Sequence, residues 1–121
     1  MANVLIADDE AELLELLRFS LDAAGYHITT APDGKKALSL AKSQSFDLIV
    51  LDVMMPHVDG YHVAQELSGD PHSPPILLLT SRDFGQDQTA IKGSGASAFL
   101  SKPFEISELL NVVKSLISGN K

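Results

Sequence analysis

Five polar residues of this chain each follow a short apolar run, at the positions where a row of strands would end. They are Asp8, Asp9, Asp52, Thr80 and Lys102. If these side chains meet, their carboxylates repel, because two carboxylates about 4 Å apart cost roughly 4 kcal/mol at an effective dielectric constant of 20. Such a group must keep a proton, bind a cation or lie beside a basic side chain.

The residue types in this group favour a metal-assisted site for a phosphoryl group. Carboxylate and water oxygens suit a hard divalent ion, and an open site that retains water suits Mg²⁺. Lys102 supplies a fixed positive charge and Thr80 a hydrogen-bond donor. A free carboxylate can attack phosphorus while the cations neutralise the oxygens. For Asp9 a second interpretation stays open, as the N-cap of a helix with Glu12 completing a capping box.

The elements that must position these residues alternate along the chain as short apolar runs and longer amphipathic stretches. The runs 48–51 and 76–79 are apolar throughout, as central parallel strands are. The run 26–30 alternates between polar and apolar residues, as an edge strand does. The five predicted strands are 4–7, 26–30, 48–51, 76–79 and 96–100. Strand–helix alternation predicts a three-layer α/β/α fold with a parallel sheet. In such sheets the ligand site lies beyond the carboxyl ends of the strands.

Length and composition limit the classes of protein. A chain of 121 residues with 45% hydrophobic residues fits one domain, residues 1–121. The net charge of −7 argues against direct nucleic-acid binding. Cysteine is absent, which excludes a disulfide framework. No apolar run approaches the ~20 residues that span a bilayer, so we expect a cytoplasmic domain without membrane contact.

The residues in this order resemble a known family along nearly the whole chain. The matching segments are Asp8-Asp9, Asp52 with the residues that follow it to Gly60, Thr80-Ser81, Gly95-Ala96 and Lys102-Pro103-Phe104. On these segments the chain resembles the receiver domain of bacterial two-component response regulators, a CheY-like, flavodoxin-like domain. The resemblance implies a five-stranded parallel sheet of order 2-1-3-4-5 with five helices, near 10–24, 34–44, 59–68, 83–93 and 105–118.

The resemblance also implies roles for the site residues. Asp52 would be the phosphoacceptor, Thr80 would bond a phosphoryl oxygen, and Lys102 would pair with the phosphoryl group or with Asp52. Mg²⁺ would be held by Asp8, Asp9, Asp52 and the backbone carbonyl of Met54. The peptide bond between Lys102 and Pro103 would be cis, as it is in many relatives.

Further positions are expected to control lifetime and signalling. Met54 and Arg82 would flank the phosphoryl group and affect how long it persists. Phe99 would be the switch aromatic, turning inward when Thr80 moves toward the phosphoryl group. The output surface, and a candidate dimer surface, would be the face of helix 83–93, the fifth strand and the last helix. The partners would be a sensor histidine kinase or phosphotransfer protein and a downstream protein or output domain.

Three other functions remain open from the residues alone. The first is a small metal-dependent phosphatase that uses the same acids, and the second is a receiver-like interaction module that is never phosphorylated. The third, a nucleotide- or flavin-binding domain, would need a phosphate-binding loop where this chain has Asp-Asp-Glu. Against these, the residues favour a signalling switch rather than an enzyme with a separate substrate.

Overall fold

A computed structural model of the chain describes residues 2–53, 60–70, 73–81, 93 and 95–118. Five parallel strands form one sheet of order β2-β1-β3-β4-β5, as predicted. The strands are β1 (Asn3–Ala7), β2 (His27–Ala31), β3 (Leu48–Asp52), β4 (Ile76–Ser81) and β5 (Ala98–Lys102). β2 is an edge strand, which confirms the interpretation of its alternating pattern.

Four helices lie within the described residues. They are α1 (Ala11–Ala23), α2 (Gly34–Ser43), α3 (Gly60–Ser68) and a C-terminal helix (Ile106–Ser118). Gly25 follows α1 with φ of 99°, a conformation that glycine adopts without steric cost. Of the fourth predicted helix, 83–93, only Gly93 lies within the described residues.

The sheet is covered on both faces, because successive side chains of each strand point to opposite sides. On one face, Leu5, Ile49, Leu51 and Leu78 pack with α2 and α3. On the other face, side chains such as Ile6 pack with α1 and the C-terminal helix. All five residues of β3 are buried, as the unbroken apolar run predicts. This packing holds the strand ends, and therefore the site, at one edge of the sheet.

Most strand boundaries lie one or two residues from the predicted ones, and the largest shifts are in β4 and β5. β4 and β5 both extend two residues beyond the predicted ends, because ladder pairing continues through Thr80↔Ser101 and Ser81↔Lys102. β5 also begins two residues late, at Ala98. Asp9 does not cap α1: the N-cap is Glu10, which makes no side-chain capping bond.

A helix that crosses a bilayer needs about 20 predominantly apolar residues. Among the described helices, none is long and apolar enough to cross a membrane.

Candidate functional site

The carboxyl edge of the sheet brings together residues that are far apart in the sequence. Ala7 pairs with Leu51, so Asp8 and Asp52 leave neighbouring strands at the same level. Lys102 ends β5, two strands away from β3, or about 10 Å at the usual strand spacing. Its long side chain covers this distance, and the three charged groups meet, as the sequence predicts.

The Lys102 ammonium is the centre of this group. Its Nζ donates to Asp52 Oδ2 at 3.1 Å and to Asp8 Oδ2 at 3.4 Å. A third acid, Glu10, places Oε1 3.7 Å from the same nitrogen. The Asp8 and Asp52 carboxylates are buried, while the Lys102 side chain keeps 21% of its surface exposed. A partly exposed cation thus balances two buried acids.

The buried carboxyl of Asp8 holds its proton unusually tightly. Burial raises the pKa of Asp8 to about 6, and the charge and hydrogen bond of Asp52 add to the rise. Two interactions oppose it, the backbone N–H of Glu10, which donates to Asp8 Oδ1 at 2.9 Å, and the charge of Lys102. Two adjacent carboxylates with one ammonium therefore leave uncompensated negative charge.

The pKa of Lys102 is raised as well, but for a different reason. Burial alone would lower the pKa of the Lys102 ammonium, but the nearby carboxylates of Asp52, Asp8 and Glu10 outweigh burial and raise it. The side chain therefore stays charged across the physiological range, as a permanent counter-ion for an anion at Asp52.

Three carboxyl groups are close enough to share one metal ion. Asp8, Glu10 and Asp52 each offer an oxygen, and these oxygens all lie within 4.8 Å of one another. Ligands of one octahedral Mg²⁺, at about 2.1 Å from the ion, are separated by comparable distances. With Lys102 included, the ionised cluster carries two excess negative charges, which a divalent ion would neutralise. Hard oxygen donors of this kind fit Mg²⁺.

Asp9 differs from its neighbours. Its side chain is exposed, and it is not part of the close group that contains Asp8, Glu10 and Asp52. Its role as a metal ligand stays a prediction.

Thr80 supplies a buried hydroxyl at the same edge. It follows Leu79, the register partner of Asp52, and is fully buried. Within the described part of the chain, its Oγ1 has no hydrogen-bond partner. An unpaired buried hydroxyl costs about 1–3 kcal/mol, so it is retained only where something else compensates. A group bound at Asp52 that offers an acceptor oxygen would do so.

Gly60 keeps the backbone after Asp52 in place. Its N–H donates to the Val53 carbonyl at 3.0 Å. A Cβ at Gly60 would lie 2.9 Å from Val53 Cα and 3.0 Å from the Asp52 carbonyl carbon, and closer still to the Asp52 carbonyl oxygen. Only glycine allows α3 to begin so close to the end of β3.

The remaining predicted positions divide into two groups. Phe99 lies in β5 with 41% of its surface exposed, and the Lys102–Pro103 peptide is cis, as expected. Met54 and Arg82 lie outside the described residues.

Comparison with known proteins agrees with this geometry. A family model described as the response regulator receiver domain matches residues 4–114. The chain belongs to this family. Receiver domains of this kind are the signalling modules of two-component systems.

The receiver domain has relatives of known sequence and structure. It is 41% identical over 119 residues to the response regulator MprA of Mycobacterium tuberculosis, covering 98% of this chain and 52% of MprA. The receiver domain of Francisella response regulator 1452 superposes with a TM-score of 0.90 at 33% identity, with full coverage of both chains. Thermotoga maritima TrrA, solved in complex with Mg²⁺-BeF, superposes with a TM-score of 0.87 at 35% identity, covering 96% of this chain and 99% of TrrA. The chain spans about half the length of the curated relatives it matches.

Glu10 is the member of the receiver site to which the sequence analysis assigns no role, although it follows Asp8-Asp9 at the end of the first strand. With Glu12 and Glu15 it forms an acidic run whose pattern predicts a solvated face of α1. Its position directly after Asp8-Asp9 is the available signal, but an acidic residue at a helix start is common because the helix dipole favours it. Only the coordinates show that its carboxylate turns toward Lys102.

Proposed function

We propose that this receiver domain is a phosphorylation-activated switch of a two-component phosphorelay that accepts a phosphoryl group on Asp52. The observation that carries the proposal is the 3.1 Å contact between Lys102 Nζ and the buried Asp52 carboxylate, beside an unpaired buried hydroxyl on Thr80. A structural ion pair would need neither the partner acids nor the unpaired hydroxyl. A metal-assisted site for a phosphoryl group uses both, because the acids would hold the metal ion and the hydroxyl would donate to a phosphoryl oxygen.

The proposed transfer follows from these positions. A carboxylate oxygen of Asp52 attacks the phosphorus of a phosphohistidine or a small acyl phosphate. The new O–P bond forms as the bond from phosphorus to the donor's nitrogen or oxygen breaks, and the donor leaves with that electron pair. Lys102 neutralises the charge on the phosphoryl oxygens, and the Thr80 hydroxyl donates to one of them. The chemistry of the domain itself would be limited to this acceptance and to hydrolysis of the aspartyl phosphate.

The residues that would hold Mg²⁺ are Asp8, Asp9, Asp52 and the backbone carbonyl of Met54. When bound, the ion neutralises charge on the phosphoryl oxygens and helps to orient the group for transfer. Support comes from the close acidic oxygens of Asp8 and Asp52 and from the excess negative charge of the cluster. The similar protein TrrA was solved with Mg²⁺-BeF, a combination of a metal ion and an anion that this receiver domain would also bind.

The switch would couple the phosphoryl site to a protein surface. Thr80 would move toward the phosphoryl oxygens, and Phe99, now partly exposed on β5, would turn inward to fill the space. The face formed by the 83–93 segment, β5 and the C-terminal helix would then change its partner affinity. The donor would be a sensor histidine kinase or phosphotransfer protein. The receiver of the signal would be a downstream protein, an output domain or a second copy of the chain.

Incubation with acetyl phosphate tests the proposal. With Mg²⁺ present, intact-mass measurement should show the gain of one phosphoryl group, which should disappear when the metal is chelated. Asp52→Asn should abolish the gain while keeping the fold. Asp22→Asn, which removes an exposed acid from α1, is the matched control and should label normally. Equal labelling of both variants would refute Asp52 as the acceptor. An unlabelled wild type would instead support an interaction module without phosphotransfer.

A further inference from the structure

Glu10 occupies a position that helix stability does not explain. It is the N-cap residue of α1, but its side chain makes no capping hydrogen bond. Residues that cap well at this position, such as Ser, Thr, Asn or Asp, stabilise a helix by accepting a bond from its first N–H groups. Glu10 leaves those groups without this bond and places its carboxylate 3.7 Å from Lys102.

The contact with Lys102 links Glu10 to the site rather than to the helix. Asp8 and Asp52 are buried against the same ammonium, whereas the Glu10 side chain is 66% exposed. Glu10 is therefore the solvent-facing member of the three acids around Lys102. An anion that approaches Asp52 from solvent meets the charge of Glu10 and must compete with it for Lys102.

We propose that Glu10 is a positioning residue of this site: its carboxylate holds the Lys102 ammonium and biases the unphosphorylated site toward a cation and against an incoming phosphoryl anion. The inference rests on the proposed function, because it assigns Glu10 a role in the same site. A negative charge beside a bound divalent ion attracts it, and the same charge repels a phosphoryl group. Glu10 thus affects the two ligands in opposite directions.

Two variants separate this role of Glu10 from the general effect of negative charge on α1. Glu10→Gln keeps the size of the side chain and removes its charge. Glu12→Gln removes an equal charge from the first turn of the same helix, at an exposed residue outside the close acidic group. Far-UV circular dichroism and urea unfolding should show that both variants fold.

Two measurements give the opposed result that the proposal requires. By calorimetry of Mg²⁺ alone, Glu10→Gln should raise the dissociation constant about three- to tenfold, the size expected when one screened charge beside the ion is removed. At saturating Mg²⁺, its rate of labelling by acetyl phosphate should rise about two- to fivefold. Glu12→Gln should change either quantity by less than about twofold, because ionic screening weakens its effect.

The direction of the two changes decides between the outcomes. Weaker metal binding with faster labelling, confined to Glu10→Gln, supports the proposal. Changes in the same direction, or equal changes in Glu12→Gln, overturn it. Calorimetry needs no phosphoryl transfer, so an unchanged Mg²⁺ affinity in Glu10→Gln overturns it even if wild type takes no label. A wild type that takes no label refutes the proposed function itself.

Discussion

Replacement of Asp8 by asparagine tests the electrostatic balance of the site without removing the phosphoacceptor. At an effective dielectric constant of 20, the ion pair with Lys102 at 3.4 Å is worth about 5 kcal/mol. Repulsion from the buried Asp52 carboxylate, whose oxygen lies within 4.8 Å, costs about 3.5 kcal/mol. The two charge interactions therefore nearly cancel, and burial of the Asp8 carboxylate is what disfavours its ionised form.

The raised pKa of Asp8 also indicates that its ionised form is disfavoured in the folded protein. A rise from 3.8 to about 6 corresponds to roughly 3 kcal/mol, at about 1.36 kcal/mol per unit. The folded state holds this proton more tightly than the unfolded state, so its contribution to stability is complete below pH 3.8 and is lost as pH rises through 6. The asparagine side chain in Asp8→Asn would keep an acceptor for the Glu10 N–H and would carry no charge.

We therefore expect Asp8→Asn to be more stable than wild type by about 1–3 kcal/mol at pH 8 without metal, and to lose most of this advantage below pH 4. Urea unfolding followed by circular dichroism, with a chelator present, measures both values. Saturating Mg²⁺ should stabilise wild type by more than the variant, because a ligand stabilises the state that binds it. Asp22→Asn is the control for loss of one exposed charge. Lower stability of Asp8→Asn at pH 8, or a difference independent of pH, would refute the reasoning.

Three further substitutions test other parts of the site. Lys102→Met should lower the free energy of unfolding by about 1–3 kcal/mol at pH 8 without metal, since it leaves buried acids uncompensated. Unchanged urea unfolding would mean that the buried acids do not depend on the Lys102 ammonium. Gly60→Ala should cost about 1–3 kcal/mol and slow acetyl phosphate labelling, because its Cβ meets the backbone after β3. Gly69→Ala, where a Cβ makes only an ordinary contact, is its control, and equal labelling rates would contradict the role of Gly60. Thr80→Val should leave stability unchanged or about 1 kcal/mol higher while weakening beryllofluoride binding, and a clear loss of stability would show that the hydroxyl is already paired.

The apolar strands and the meeting of three charged residues were predictable from the sequence. Unbroken apolar runs such as 48–51 are typical of central strands in a covered sheet, and parallel strands place their carboxyl ends at one edge. Once the strand order was given by the family resemblance, Asp8, Asp52 and Lys102 had to converge. Their distances in the structure confirm that expectation.

The boundaries and the third acid were not predictable, for a physical reason. The apolar runs that predict β4 and β5 end before the polar residues of the site. Thr80 and Ser101 are therefore not predicted as strand residues, although they pair with each other between β4 and β5. Glu10 is mostly exposed, and nothing in its neighbours distinguishes a carboxylate that faces solvent from one that reaches across the sheet edge to Lys102. Such a contact depends on side-chain direction, which the sequence pattern does not contain.

Chemical trapping of the modified residue tests the central claim most directly. Borohydride reduces an aspartyl phosphate to homoserine, and peptide mass spectrometry then locates it in the sequence. After treatment with acetyl phosphate and Mg²⁺, we predict homoserine at position 52 and at no other acid. Homoserine at position 8, 9 or 10, or its absence from folded protein that has bound Mg²⁺, would contradict the assignment of Asp52 as the phosphoacceptor.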